Sequence, residues 1–240
     1  SSMSTFLQAH PLSKPIGSVD ELQSYFQKFA KPRGGELVGV ECEILGVNAE
    51  TGRAIPYSGP KGIEAVLNGL AHEFGYEPLR EGVHTVGLRK DNRVIALEPG
   101  GQVELSAEPV RSIHQVKSQL DQFFFELKTI AGFMDGIAWV GAGIHPFSSA
   151  KSIEWVPKKR YEIMARYLAR KGKMAHDMMK RTATDQVSLD YYHEEDAIGK
   201  MRLALLVTPP AAAMFANSAF EQGQVSVANV ILEITERSAI

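Results

Sequence analysis

VIALEPGGQVELS, residues 94–106, reads as two short strands folded about a turn. Pro99 presets the backbone of a turn, and Gly100 and Gly101 supply the freedom to close it. On the returning strand Gln102 and Glu104 share one face, while Val103 and Leu105 share the other, because side chains alternate along a strand. The turn is therefore flanked by two carboxylates, Glu98 and Glu104, on a hairpin whose opposite face is apolar.

A second stretch, ELVGVECEILG at residues 36–46, repeats the pattern. Val38, Val40, Cys42 and Ile44 lie on one face, and Gly39, Glu41 and Glu43 on the other, as in a half-buried strand. Two carboxylates at i and i+2 stand roughly 7 Å apart on the same side of such a strand. Like charges that close either face bulk water or have a cation beside them. Magnesium suits the second arrangement, since it takes oxygen ligands and is often held by carboxylates together with substrate phosphates. Taken alone, this strand leaves both readings open. The hairpin at 94–106 favours a shared acidic cleft, because it brings a second acidic strand with its own apolar back.

Around these strands the chain alternates between helical and extended patterns. Ser18 and Glu21 form a capping-box pattern that starts a helix running to about residue 30. Helical spacing recurs at Ile63, Val66, Leu67 and Leu70, with Gly75 as the stop. A long amphipathic helix spans 110–134, followed by a Gly-rich strand at 137–146. Helices are expected at 157–172 and 175–180, and a polar-faced strand at 184–192. A final helix covers 194–217 and should break or kink at Pro209-Pro210. Without regular βαβ alternation, this order predicts an α+β fold with a largely antiparallel sheet, helices on one face and a polar cleft on the other.

Composition sets outer limits. The 240 residues are 44% hydrophobic and 22% charged, enough for a sizeable core. A formal net charge of −2 provides no global basic field for nucleic acid or an anionic membrane. No apolar run approaches the ~18 residues that a membrane-spanning helix needs. With Cys42 as the single cysteine, an intramolecular disulfide and a multi-cysteine zinc site are both excluded. Cys42 sits on the apolar strand face and is read as a small core residue. The N-terminus has neither a charged n-region nor a long apolar h-region, and the expectation is a cytoplasmic protein. No GxxxxGK[ST] loop is present, so metal ions would carry more of a nucleotide's phosphate charge.

Two further elements carry polar groups. In TDQVSLD, residues 184–190, Gln186 and Asp190 point the same way. Lys158, Lys159 and Arg160 make a basic patch at a helix start, and a guanidinium there could pair bidentately with a carboxylate.

GVECE, LEPGGQVELS, PKKRYEIM, DMMKRTATDQVSLDY and FANSAF fall in an order and spacing that resemble glutamate–cysteine ligase of the plant and proteobacterial type, over about residues 20–225. The resemblance implies a glutamine-synthetase-like fold: a curved antiparallel sheet forming a funnel, with helices packed outside. It implies ATP- and Mg2+-dependent joining of the γ-carboxylate of glutamate to cysteine through an acyl phosphate, the first step towards glutathione. By motif, Glu41, Glu43, Glu98 and Glu104 fall where the family's acids hold magnesium. Glu43, Glu98 and Gln102 fall at the nucleotide side, and Gln186 at a polar strand position facing the metals. Arg160 matches a basic residue of the amino-acid site, with Met179, Thr182 and Thr184 beside it. Arg160 and Gln186 are the candidates for a direct part in the reaction.

The resemblance also sets expectations about organisation. Residues 1–17 would be a tail and 18–240 a single catalytic-type domain, shortened at the C-terminus relative to the family. After residue 225 the pattern departs. Ser226 and Ile231 align, but Ala228 stands where an arginine would fall and Leu232 where a tryptophan would. An incomplete funnel would expose a sheet edge and favour a homo-oligomer. Two alternatives accompany this reading: a γ-glutamyl ligase using another amine, and a binding or assembly module without turnover.

Overall fold

The computed structural model describes residues 17–225; Ser226, Ala228, Ile231 and Leu232 lie outside the described residues. The fold is mixed α and β, with a seven-stranded, antiparallel-paired sheet that does not close on itself. Its strands are β1 (Val38–Asn48), β2 (Glu77–Glu81), β3 (His84–Lys90), β4 (Arg93–Leu97), β5 (Val103–Ser106), β6 (Ile137–Val140) and β7 (Asp185–Leu189). They run β2-β3-β4-β5-β1-β6, and β7 also pairs with β1. The first half of β1 carries β7 and the second half β6. A separate two-stranded ribbon, β8 (Phe220–Glu221) and β9 (Gln224–Val225), follows the last helix.

Both acidic stretches form the strands the alternation predicts. Cys42 and Ile44 of β1, Ile95 and Leu97 of β4, and Val103 and Leu105 of β5 are all buried. Against this face pack α2 (Ile63–Phe74) and α3 (Ile113–Met134), through Ile63, Val66, Leu67, Leu70, Phe123, Leu127 and Ile130. Each such aliphatic or aromatic side chain contributes roughly 1.5–3 kcal/mol by leaving water. Gly75 ends α2 in the left-handed conformation at φ 72°, as its place after the last periodic residue predicts. Burial also pushes the Cys42 thiol up, which keeps it protonated and unreactive.

Elsewhere the structure departs from the sequence pattern. Residues 77–90, to which the pattern assigns no element, form the β2–β3 hairpin. The expected strand at 137–146 is regular only over Ile137–Val140. In α6 (Glu194–Met214) the helix runs unbroken through Pro209 and Pro210. Those prolines leave the carbonyls of Leu205 and Leu206 without their i+4 donors, but both residues are exposed, so water can satisfy them. The helix α1 (Val19–Phe29) starts at Ser18, whose Oγ accepts the Glu21 N–H at 3.2 Å. The edge strand β7 leaves Val187 63% and Leu189 59% exposed.

Candidate active site on the polar sheet face

The site is built by strand register. Glu43 on β1 stands directly opposite Glu104 on β5, and Glu41 opposite Ser106. On its other side Glu41 faces Gln186 of β7. Ala96 of β4 opposes Glu104, and Glu98 follows two residues later on the same side of the sheet. All four glutamates therefore share the face opposite the core.

The turn between β4 and β5 fixes Glu98. The Gly101 N–H donates to the Glu98 carbonyl at 2.9 Å, and the Glu98 N–H to the Gln102 carbonyl at 3.0 Å. Gly101 is left-handed at φ 84°, giving the three-residue hairpin loop that Pro99-Gly100-Gly101 is suited to. A Cβ on Gly100 would collide with the backbone of Lys180, so the turn and the helix that contains Lys180 touch backbone to backbone.

Gln102 secures that junction. It is 2% exposed. Its Oε1 accepts the Gly100 N–H at 2.9 Å, and its Nε2 donates to the carbonyls of Met179 at 3.2 Å and Thr182 at 2.8 Å. Both amide hydrogens are thus committed to the protein. Met179, at the end of α5 (Ala175–Arg181), is buried. Thr182 donates its hydroxyl to the Met178 carbonyl at 2.6 Å. Thr184 is exposed, and its N–H donates to Glu43 Oε2 at 3.0 Å. Gln186 is exposed on the polar face beside Glu41.

Arg160 lies in the first turn of α4 (Lys159–Leu168), with Nη2 3.7 Å from Glu98 Oε1 and 3.1 Å from the Tyr161 hydroxyl. The sequence placed it with two other surface cations, but Lys158 is not one of them. Lys158 is 4% exposed and donates to the Leu97 carbonyl at 2.7 Å, at the very end of β4. The Tyr161 hydroxyl, also buried, donates to the same carbonyl and lies 3.4 Å from Glu98 Oε1. Burial lowers the Lys158 ammonium to about 8, with Arg160 acting in the same direction and Glu98 and Glu104 opposing. Sequence reading missed Lys158, Tyr161 and Ser106 as parts of this site. The Lys158/Tyr161 spacing of three residues at a helix start was the signal available.

Electrostatically the four carboxylates of the face outnumber the cations beside it, Arg160 and Lys158. Burial lifts the Glu43 carboxyl to about 8; Glu98, Glu104 and Glu41 push the same way, against the Thr184 N–H bond. Burial likewise lifts Glu104 to about 7, aided by Glu98 and Glu41 and opposed by the Ser106 hydroxyl bond and Lys158. Burial and Glu98 raise Glu41. Among the described residues no three histidine, cysteine, aspartate or glutamate side chains converge as a metal cluster. An ion here would be held by one or two carboxylates, with phosphate and water completing its octahedron, which is how magnesium usually binds beside nucleotides. The donor set fits that ion: hard oxygen ligands whose mutual repulsion a cation would relieve.

A family model described as glutamate-cysteine ligase family 2 matches residues 37–227, which include every candidate residue above. The chain belongs to glutamate-cysteine ligase family 2. Among its relatives is the chloroplastic glutamate–cysteine ligase of Nicotiana tabacum, 38% identical over 216 residues that cover 90% of this chain and 40% of that protein. Chloroplastic glutamate–cysteine ligase B of Oryza sativa subsp. japonica is 36% identical over 217 residues, covering 90% of this chain and 43% of that protein. The enzyme of Arabidopsis thaliana is 37% identical over 205 residues, 85% of this chain and 38% of that protein. The chain thus spans about two fifths of the length of the curated relatives it matches. These relatives are named as chloroplastic, a finding that overturns the cytoplasmic expectation. That expectation rested on composition and the absence of a secretory pattern, neither of which reports on import into an organelle. No helix among the described residues is long and apolar enough to cross a membrane.

Proposed function

We propose that the polar sheet face takes part in ATP- and Mg2+-dependent ligation of glutamate, through its γ-carboxylate, to cysteine. The observation that carries this reading is the register that sets Glu43 against Glu104, with Glu41 and Glu98 on the same face. Family membership supports the choice of substrates. The open antiparallel sheet, apolar on its helix side and acidic on the other, supports a funnel of the glutamine-synthetase kind, with residues 18–240 acting as one catalytic-type unit.

Forming an amide from a carboxylate is uphill in water, so the carboxylate must first be activated. A γ-carboxylate oxygen of glutamate attacks the γ-phosphorus of ATP; the bond to the ADP oxygen breaks and an acyl phosphate forms. The cysteine amine then attacks the acyl carbon, the C–N bond forms, phosphate leaves with the C–O electron pair, and the amine proton passes to solvent. Magnesium would neutralise phosphate charge during transfer and orient the γ-phosphoryl group. One or two carboxylates from among Glu41, Glu43, Glu98 and Glu104 would hold each ion, with phosphate and water completing its ligands, and none of them needs to act as a nucleophile. Arg160, whose Nη2 stands 3.7 Å from Glu98 Oε1 at the edge of the acidic face, pairs with the carboxylate of the amino-acid substrate. Thr184 fixes Glu43 through its N–H, and Gln186 borders Glu41. Lys158 and Tyr161 anchor the end of β4 and so the backbone from which Glu98 projects.

The test is phosphate release from ATP with product identified by mass. Release that needs both glutamate and cysteine supports the reading. Release that ignores every amine offered would rule out the ligation step.

A further inference from the structure

We infer that Gln102 is a positioning residue that locks the acidic turn to the amino-acid side of the site, so that the two halves of the reaction are held in one geometry. The inference rests on the proposed ligase reading and assigns Gln102 a role different from cofactor contact. Two independent observations meet at this point. The Gln102 amide, 2% exposed, joins three backbone groups from two segments: Gly100 in the turn, and Met179 and Thr182 at the end of α5. Beside it Gly100 has no room for a Cβ because the Lys180 backbone lies against it.

The segments so joined are the ones that carry the chemistry. The turn carries Glu98 and leads into Glu104. The end of α5 leads within two residues of Thr182 to Thr184, whose N–H holds Glu43, and then to Gln186 beside Glu41. A glutamine is suited to the joint because one planar amide offers an acceptor on one side and two donors on the other. In a site whose dielectric is low, those neutral bonds are strong and add no charge to an acidic face. Neighbouring bonds continue the seam, with the Val156 N–H on the Pro99 carbonyl at 2.9 Å and the His145 N–H on the Arg181 carbonyl at 2.8 Å. Those bonds pair other backbone groups along the seam; Gln102 alone among the described side chains bridges the turn to both Met179 and Thr182.

The experiment compares the protein with Gln102→Met, which keeps the volume and removes all three bonds, and Gln102→Asn, which keeps the amide but withdraws it by one methylene. The first readout is amide hydrogen exchange on metal-free protein. The expected result is exchange about tenfold faster or more in both 98–102 and 179–184, with 84–97 unchanged, since one joint protects both segments. Gln102→Asn falls between the parent and Gln102→Met. The second readout is steady-state phosphate release. A joint predicts kcat lower by about tenfold or more with the KM values for ATP and for glutamate within about threefold, because each half-site stays whole while their alignment is lost. Exchange that changes in only one segment, or in neither, overturns the proposal. So does a raised KM for ATP with kcat unchanged, which would make Gln102 a direct nucleotide contact. If Gln102→Met does not fold, the same outcomes are read from Gln102→Asn. Parent protein that releases no phosphate refutes the ligase reading, and the exchange result still decides on the joint.

Discussion

Replacing Glu104 by glutamine should make the metal-free protein more stable at alkaline pH while removing its function. Glu104 is 7% exposed and faces Glu43 across the strand pair. Its carboxyl is raised from 4.5 to about 7, chiefly by burial. A folded value above the unfolded one means that the native state holds the proton more tightly. The associated stability is complete below pH 4.5 and is lost as pH rises through about 7. At pH 8.5 the ionised group therefore costs the fold about 3 kcal/mol. Glutamine is nearly isosteric, and its carbonyl can still accept the Ser106 hydroxyl that Glu104 Oε1 accepts at 2.8 Å. Urea denaturation in EDTA should place Glu104→Gln level with the parent near pH 4.5 and about 2–3 kcal/mol above it at pH 8.5. Millimolar magnesium with an ATP analogue should then stabilise the parent and not the variant, reversing the order. A variant less stable than the parent at pH 8.5 in EDTA would refute the reasoning, because it would mean that the carboxylate is already satisfied without a cation.

Glu41→Ala should abolish phosphate release with a change in stability of less than about 1 kcal/mol, since it removes a polar-face group and leaves the core intact; near-normal turnover would remove Glu41 from the site. Gly100→Ala should cost about 1–3 kcal/mol or more, because the added Cβ meets the Lys180 backbone, and a thermal melt equal to the parent's would disprove that close approach. His145, 2% exposed, is lowered to about 4 by burial and by Arg181. Its folded value lies below the ordinary 6.5, so the stability it preserves while neutral is complete above pH 6.5 and is lost as pH falls through about 4. Relative to His145→Gln, the parent should therefore lose about 3 kcal/mol between pH 7 and pH 4, and a pH-independent difference would contradict a buried neutral imidazole.

The strands that carry the glutamates were readable because each is apolar on one face only, although on β5 the polar Glu104 and Ser106 are buried as well. Alternation placed Cys42, Ile44, Val103 and Leu105 on the helix-covered face and the acids on the opposite one, and the structure agrees. The β2–β3 hairpin was not readable. β3 is buried continuously from Thr85 to Leu88 and includes a glycine, and β2 carries a proline and three charged residues, so neither alternates. Lys158 was misread because burying an ammonium requires a partner from elsewhere in the chain, here the Leu97 carbonyl 61 residues away. Gln102 was placed on the correct strand face, but its partners Met179 and Thr182 arrive through tertiary packing that no local pattern encodes. The helix through Pro209-Pro210 was misjudged for the opposite reason: its surface faces water, which can satisfy the carbonyls that the prolines leave without donors.

Divalent-cation binding to the acidic face tests the central claim most directly. Mn2+ can replace Mg2+ and be followed by paramagnetic resonance, with and without a non-hydrolysable ATP analogue. The account predicts saturable Mn2+ uptake by the parent, tightened by the analogue, and loss of that uptake in Glu43→Gln/Glu104→Gln while the variant remains folded. Equal uptake by the double variant, or none by the parent with the analogue present, would contradict it.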